Sequence, residues 1–220
     1  MRWSLISLDR IAVSAIFNGP LNSIVRPDAS EVRIFPVIEL RKLLREEITQ
    51  VWNIDRSEVI EKFYHLQDGV LMLRPKHIDV LGWPPGEADK YTPILLDCFD
   101  RGGWFCGAFD DTLLIGAVVL ESRFIGTRRD QLQLKFLHVS RAYRNRGLGA
   151  QLFEGAMATA RERGAHRLYI SATPSENTIN FYVRLGCTVA KEPDPDLFEL
   201  EPEDIHLEFE ILTTQGSGKG

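Results

Sequence analysis

The sequence predicts a domain of the α+β class, because strand patterns and helix patterns are mixed along one chain. Apolar and polar residues alternate over 131–139, and 167–172 is a short β-prone segment; both are typical of strands. Over 147–162 and 176–185 the apolar residues instead recur at helical spacing. A sheet flanked by helices is the arrangement that buries both kinds of segment.

Weaker patterns predict the elements of the first half of the chain. Pro36 closes an alternating segment, and either Asp55 or Ser57 could cap a helix that contains Ile60 and Phe63. The predicted elements are a strand at 31–36, an amphipathic helix at 37–50, a second helix from Asp55 or Ser57 to Leu66, a turn at Asp68-Gly69, and a helix at 88–100.

The second half begins with a predicted hairpin. Two apolar segments, 103–109 and 112–124, flank the turn pair Asp110-Asp111. Two further strands are expected at 187–191 and 204–212. Residues 1–30 are interpreted as an N-terminal extension, 31–212 as the folded domain, and 213–220 as a flexible tail.

Composition excludes several classes of function. The net charge is −5 and there is no basic block, so we expect no nucleic-acid partner. The longest apolar run, Leu113 to Leu120, is far shorter than the roughly 20 residues of a membrane span, so no membrane association is expected. The three cysteines, Cys98, Cys106 and Cys187, form neither a disulfide framework nor a zinc-ligand pattern, which favours a cytoplasmic protein without metal.

The segment Arg141–Ala150 is the most informative part of the sequence. It leaves a predicted strand, passes through a basic loop and enters a predicted helix. Helix N-terminal amides are unpaired and attract anions, and glycines at 147 and 149 remove side chains where a phosphate would approach. Arg144 and Arg146 add positive charge. This pattern predicts a phosphate or diphosphate site.

Two common phosphate motifs do not fit. A P-loop needs Lys-Ser/Thr after its second glycine, where Ala150-Gln151 stand, and a dinucleotide fingerprint needs a glycine where Leu152 stands. The arrangement Arg144-x-x-Gly147-x-Gly149 instead resembles the acyl-CoA signature of the GNAT superfamily of N-acyltransferases. Residues 181–186 (FYVRLG) resemble the second signature of that family, and the order of elements over 31–212 is similar.

Two positions depart from the family pattern. Cys187 replaces an aromatic residue, and Ser175 stands where most members have an asparagine, for which Asn177 is a substitute. The resemblance implies a three-layer fold with a mixed, mostly antiparallel sheet, in which the strand ending at Val139 splays from the strand at 167–172. It further implies that 68–87 is an insertion near the acceptor site, where Trp83 either lines the pocket or pins a loop.

The resemblance also implies a binding pose for acetyl-CoA without a metal. Pantetheine would pair with the backbone of the splayed strand, the amides of 146–150 would hold the diphosphate, and the Val139 amide would stabilise the negative oxygen. The residues implied to bind acetyl-CoA are Leu137, His138, Val139, Arg144, Asn145, Arg146, Gly147, Leu148, Gly149, Ala150, Asn177 and Phe181.

For catalysis, Tyr182 matches the family tyrosine that protonates the departing thiolate. The base is less well defined, because Gln133 stands where some members carry a glutamate. Glu121 on the preceding strand is the candidate, and the alternatives are His138, which strand alternation places on the face opposite Val139, and a water relay.

The predicted function is therefore acetyl transfer from acetyl-CoA to a primary amine of a small molecule. One alternative is the same class of enzyme acting on a protein amine. Another, from a different class, is a catalytically weak acyl-CoA sensor, which Gln133 would favour and Tyr182 opposes. A homodimer is expected only by analogy with similar folds. The acidic stretch Leu197–Glu208 either attracts a cationic acceptor or is a solvated loop.

Overall fold

A central sheet organises the part of the chain that the computed structural model describes, residues 38–211. The predictions for 1–30, for the strand at 31–36 and for the tail at 213–220 lie outside the described residues. In chain order the elements are β1 Ile38–Lys42, a 3₁₀ helix Arg45–Asn53, β2 Glu58–Gln67, β3 Val70–Val80, α1 Glu87–Asp100, β4 Trp104–Asp110, β5 Leu113–Ile125, β6 Gln131–Val139, a 3₁₀ turn Arg141–Tyr143, α2 Leu148–Glu162, β7 Arg167–Ala172, α3 Glu176–Arg184, β8 Thr188–Val189, α4 Pro195–Leu200 and β9 Ile205–Glu210.

Seven of these strands form one sheet in the order β1-β4-β5-β6-β7-β9-β8, and β2 and β3 form a separate hairpin. Every neighbouring pair in the sheet is antiparallel except β6 and β7, which are parallel. A parallel pair needs a crossover connection, and α2 supplies it. The predicted mixed, mostly antiparallel sheet with flanking helices is confirmed.

The two faces of the sheet are covered by different helices. Helices α2 and α3 pack on one face, which we call the α2 face, where Leu152, Ile170 and Ile179 are buried together. Helix α1 and the 3₁₀ helix Arg45–Asn53 pack on the other, the α1 face, around Ile48 and Leu95. Burial of apolar side chains on both faces is the main stabilising contribution to this three-layer arrangement.

The predicted helix at 37–50 is wrong in its first half. Ile38–Lys42 instead forms an edge strand, in which Leu40 is paired with Ala108 of β4, and only the part after Leu44 is helical, as a 3₁₀ helix. The apolar residues have the spacing of an α-helix because Leu43, Ile48 and Val51 are buried where the chain crosses the α1 face. Tertiary pairing thus overrides the local helix pattern.

The predicted helix from Asp55 or Ser57 to Leu66 is also wrong, since Glu58–Gln67 is strand β2. A bulge between Ile60 and Lys62 interrupts the alternation of this strand, so that Ile60 and Phe63 are both buried although they are three residues apart. A bulge therefore reproduces the i, i+3 spacing on which the helix prediction rested.

Strand β3 and helix α4 lie where no such element was predicted, whereas the other elements agree with the predictions. Asp68 and Gly69 have φ of 51° and 78°, as in the tight turn of a hairpin, and the helix predicted at 88–100 extends from Glu87 to Asp100. The hairpin around Asp110-Asp111 is present, and β6 and β7 have the predicted bounds. No helix within 38–211 is long and apolar enough to cross a membrane.

Candidate active site

The strands β6 and β7 diverge and open a gap in the sheet. They pair only over Gln131–Gln133 and Arg167–Tyr169, whereas β6 continues for six residues to Val139 and β7 for three to Ala172. The apex of the gap lies at the last pair, Gln133 and Tyr169. The predicted splayed strand pair is confirmed, and its free edges offer backbone groups to an extended ligand.

A bulge in β6 sets which groups of this strand line the gap. The pairing with β5 shifts between Phe136 and Leu134, so that the strand alternation changes phase there. The Ser140 amide donates to the Ile115 carbonyl of β5 at 2.7 Å. Because backbone groups alternate sides along a strand, the amides of Leu137 and Val139 point away from β5 and into the gap.

The glycine loop lies at the end of β6 and leads into α2. Gly147 is the N-cap residue of this helix with φ of 81°, and the first paired helix amide is that of Gln151, which donates to the Gly147 carbonyl at 3.1 Å. Within the described chain, the backbone amides of residues 145–150 donate no hydrogen bond. A helix N-terminus with unpaired amides binds a phosphate favourably.

The two glycines of the loop serve different purposes. At Gly147 a side chain would have room, but the positive φ is unfavourable for other residues. At Gly149 the backbone is ordinary, yet a Cβ atom would lie only 3.2 Å from the Phe181 ring. Gly149 thus allows α2 and α3 to approach each other closely at the mouth of the gap.

Arg144 has a different environment from the one the sequence predicted. Its Nε donates to the Val139 carbonyl at 2.9 Å, and its other nitrogens donate to the carbonyls of Ser57 and Asp55, each at 3.3 Å. The guanidinium therefore stabilises the loop through carbonyl oxygens. Arg146 is exposed beside the Tyr143 ring, with its Cζ atom 5.7 Å from the ring centroid, and remains the available cation.

The sequence did not predict a contact between β2, the glycine loop and α3. Glu58, at the start of β2, accepts a hydrogen bond from Asn177 at 2.6 Å and lies 3.8 Å from the Arg144 guanidinium. It thereby joins the glycine loop to α3. Ser175 is the N-cap of α3 and accepts from the Thr178 amide at 3.2 Å. No local pattern indicates the Glu58 contact, because its partner is 119 residues away in the sequence.

Tyr182 lies in the core on the α2 face, beside Phe153 and Phe181. Its side chain is 6% exposed, and burial raises the pKa of its phenol well above the ordinary value of about 10. The hydroxyl makes no hydrogen bond to residues 38–211, but these residues do not enclose it completely. It is therefore a protonated donor that retains an open side.

Glu121 does not have the environment of a base. Its carboxylate receives two hydrogen bonds from Arg101, at 2.8 and 3.1 Å, and lies 3.8 Å from Lys135. Burial alone would raise the pKa of Glu121, but hydrogen bonds from Arg101 and the Ser122 amide, together with the charges of Lys135 and Arg101, outweigh it and lower that pKa to about 2. In the sheet, β6 also separates its strand β5 from the gap. We therefore drop Glu121 as the candidate base.

We expect Glu121→Gln to destabilise the fold by about 3 kcal/mol while leaving turnover within about twofold, since it breaks a half-buried ion pair and leaves Arg101 only Asp97 as an ionic partner. Urea unfolding and thiol-release rates measure the two effects. The folded-state pKa lies below the unfolded value of about 4.3, so the stability difference should be complete above pH 5 and vanish towards pH 2. The control is the exposed Glu210→Gln on β9; a loss of turnover larger than a hundredfold for Glu121→Gln alone would restore its catalytic role.

His138 belongs to an aromatic cluster on the α1 face, formed by Trp52, Trp83, Phe136 and His138. Its ring centroid lies 4.7 Å from that of Phe136 and 4.9 Å from that of Trp83. Burial, with Arg56 and Arg144 nearby, lowers the pKa of His138 to about 3, so it is a weak base. Trp83 also donates to the Ile54 carbonyl at 2.9 Å, which agrees with its predicted role in pinning a loop.

Comparisons with known proteins agree with this geometry. The model of the acetyltransferase (GNAT) family matches residues 39–187. No curated protein matches the chain. Among the described residues, no group of three His, Cys, Asp or Glu side chains could hold a metal ion.

Solved structures with the same fold include several acetyltransferases. Nourseothricin acetyltransferase is 18% identical with a TM-score of 0.61, and the alignment covers 80% of this chain and 99% of that one. A putative streptothricin acetyltransferase from Bacillus anthracis, solved with acetyl coenzyme A, is 15% identical with a TM-score of 0.55, covering 79% and 99%. The ribosomal-protein-S18-alanine N-acetyltransferase from Escherichia coli is 14% identical with a TM-score of 0.52, covering 84% and 100%. Because the family model spans more than half of the sequence, this chain belongs to the acetyltransferase (GNAT) family of acetyl-CoA-dependent N-acetyltransferases.

Proposed function

We propose that this enzyme transfers the acetyl group of acetyl-CoA to a primary amine of a small molecule by direct attack on the thioester. The observation that carries the proposal is the meeting of three features at one gap: free backbone edges, unpaired helix amides and a protonated tyrosine. The solved structures of similar fold act on acceptors as different as an antibiotic and a ribosomal protein, according to their names.

In the proposed complex, acetyl-CoA is bound mainly by backbone groups of the gap. The amides of 146–150 would receive the diphosphate, with Arg146 as the nearby cation. The backbone of Leu137 and Val139 would pair with the pantetheine arm as an added strand. Gly149 lies in the first turn of α2 against the Phe181 ring, so a larger residue there would displace the helix end that receives the diphosphate.

In the reaction, a C–N bond forms as the C–S bond of the thioester breaks. Acetyl-CoA supplies the activated carbonyl, and the Val139 amide is the proposed donor to the oxygen that becomes negative. Tyr182 gives its proton to the departing sulfur and regains one from solvent; burial disfavours an unprotonated thiolate at the same place. Since neither Glu121 nor His138 is a suitable base, the charged nitrogen of the tetrahedral intermediate loses its proton to water, which leaves a neutral amide as the product.

A thiol-release assay tests the proposal. Purified protein is mixed with acetyl-CoA and a panel of amines, and free CoA thiol is followed over time. Release that depends on an amine supports the enzyme; acetyl-CoA binding by calorimetry without release for any amine would instead favour a sensor. One observation favours a sensor. Gln133 is buried at the apex, where a carboxylate could act as a base and an amide cannot.

A further inference from the structure

A polar cluster lies beside the gap on the α1 face, beneath helix α4, and nothing above assigns it a role. It contains Tyr169 and Ser171 of β7 and His206 of β9, which share this face because Leu168, Ile170 and Leu207 face α2. The ring of Phe198 in α4 covers His206, with 5.4 Å between the centroids. The cluster starts at the apex residue Tyr169 and continues along the free part of β7.

The Tyr169 hydroxyl connects His206 to the segment before α4. The Tyr169 hydroxyl accepts from the Asp194 amide at 2.9 Å and lies 2.8 Å from His206 Nδ1. The hydroxyl proton is then available for a hydrogen bond to Nδ1, an arrangement in which the neutral ring carries its own hydrogen on Nε2. His206 is 4% exposed, and burial lowers its pKa, so the ring is neutral.

Two polar atoms of this cluster are buried without a partner. They are His206 Nε2 and Ser171 Oγ, and the two residues are direct neighbours across β7 and β9. The Glu201 carbonyl is close enough to raise the pKa of His206 against the effect of burial, yet Nε2 does not reach hydrogen-bonding geometry with it. Buried polar atoms that lack partners usually indicate a ligand or an ordered water.

Next to these atoms, two half-buried carboxyl groups lack a cation. Glu201 and Asp204 lie at the end of the segment that carries α4, and the Asp204 amide donates to the Glu201 carbonyl at 3.1 Å. Neither side chain belongs to any ion pair found between residues 38 and 211. Burial and the neighbouring Glu201 raise the pKa of Asp204 to about 6, which shows that the pair lacks compensating charge.

The carboxyl pair lies at the open end of the gap. Asp204 precedes Ile205, whose partner across the ladder is Ala172, the last residue of β7. The gap is widest at this end, since the strands diverge from Gln133 and Tyr169 onwards. Asp204 is also close enough to Tyr182 to raise the pKa of that phenol further. A ligand held by the pair would therefore lie beside the proposed reaction centre.

We propose that Glu201 and Asp204, with the His206 and Ser171 atoms beneath them, bind a second, non-reacting ammonium group of the acceptor, so that the preferred acceptors are diamines or polyamines. This inference rests on the proposed acetyl transfer. The reacting amine must be neutral to attack, and two carboxylates would hold it in the charged form. The pair suits instead a cation that stays charged throughout the reaction, while His206 Nε2 and Ser171 Oγ orient the carboxylates or a bound water.

The experiment compares 1,5-diaminopentane with 1-aminopentane as acceptors, since they differ only in the second amine. We expect kcat/KM to be about tenfold or more higher for the diamine, as for one charge-assisted contact. The double variant Glu201→Gln, Asp204→Asn should remove this preference, so that kcat/KM becomes the same for the two amines. The matched control is Glu199→Gln, Glu203→Gln, which removes two exposed charges from the same segment and should keep the preference.

Equal rates for the two amines in the wild type, or a preference that survives in the double variant, would overturn the inference. A preference lost equally in the control variant would reduce it to long-range attraction by the acidic segment. If acetyl-CoA binds and neither amine releases thiol, the proposed function fails separately. Calorimetric titration of 1,5-diaminopentane then decides on the site alone: equal affinity for wild type and double variant contradicts it.

Discussion

Tyr182→Phe is expected to lower kcat by a factor of about 10² to 10⁴ while the Kd for acetyl-CoA stays unchanged, since general acid catalysis has that magnitude. The substitution removes one hydroxyl and keeps the ring that packs against Phe153 and Phe181. The hydroxyl has no hydrogen bond to any other part of the described chain, so its loss should cost little stability. Thiol-release kinetics and calorimetry with acetyl-CoA measure the two quantities.

Tyr64→Phe is the matched control, because the Tyr64 hydroxyl also lies on α3, where it donates to Asn180 at 2.9 Å. We expect that variant to keep its kcat. Because burial raises the pKa of Tyr182, the acid stays protonated up to at least about pH 10, and kcat should show no fall from this group at lower pH. An unchanged kcat in Tyr182→Phe would refute the acid assignment.

The second half of the fold could be predicted because its local patterns and tertiary pairing agree. β6 and β7 are strands both by sequence and by burial, and the glycine loop is recognisable because Gly147 has a positive φ and Gly149 has no room for a side chain beside Phe181. The gap itself follows from the order of elements and the resemblance. The bulge near Lys135 determines which backbone groups of β6 line the gap, and the sequence has no evident signal for this bulge.

Residues 38–67 could not be predicted because long-range contacts decide their structure. Strand β2 has the spacing of a helix because of its bulge, and its position is set by contacts with α3 and with the residues just before it, such as the hydrogen bond from the Tyr64 amide to the Pro174 carbonyl at 2.7 Å. The candidate base failed for a similar reason. Glu121 has the right residue type, and only the structure places Arg101 against it. Ion pairs between distant residues are not visible in a sequence.

Gly149→Ala is expected to weaken acetyl-CoA binding by about tenfold, because the new methyl group would lie 3.2 Å from the Phe181 ring and push the first turn of α2 away from the diphosphate position. The helix conformation itself suits alanine, so the expected effect comes from the contact rather than from backbone strain. Calorimetric titration with acetyl-CoA gives the Kd, and urea unfolding gives the accompanying change in stability.

Gly155→Ala separates crowding in general from crowding at the binding end. Gly155 lies two turns further along α2, and a methyl group there would lie 3.1 Å from the Trp104 ring, so the steric cost is similar. We expect that variant to lose comparable stability and to keep its Kd. Adding Phe181→Leu to Gly149→Ala should restore binding if displacement of the helix is the cause. If the double variant still binds weakly while Gly155→Ala binds normally, the methyl group itself occupies the space that the diphosphate needs. If Gly149→Ala, the double variant and Gly155→Ala all bind normally, the amides of the α2 N-terminus are not the diphosphate site.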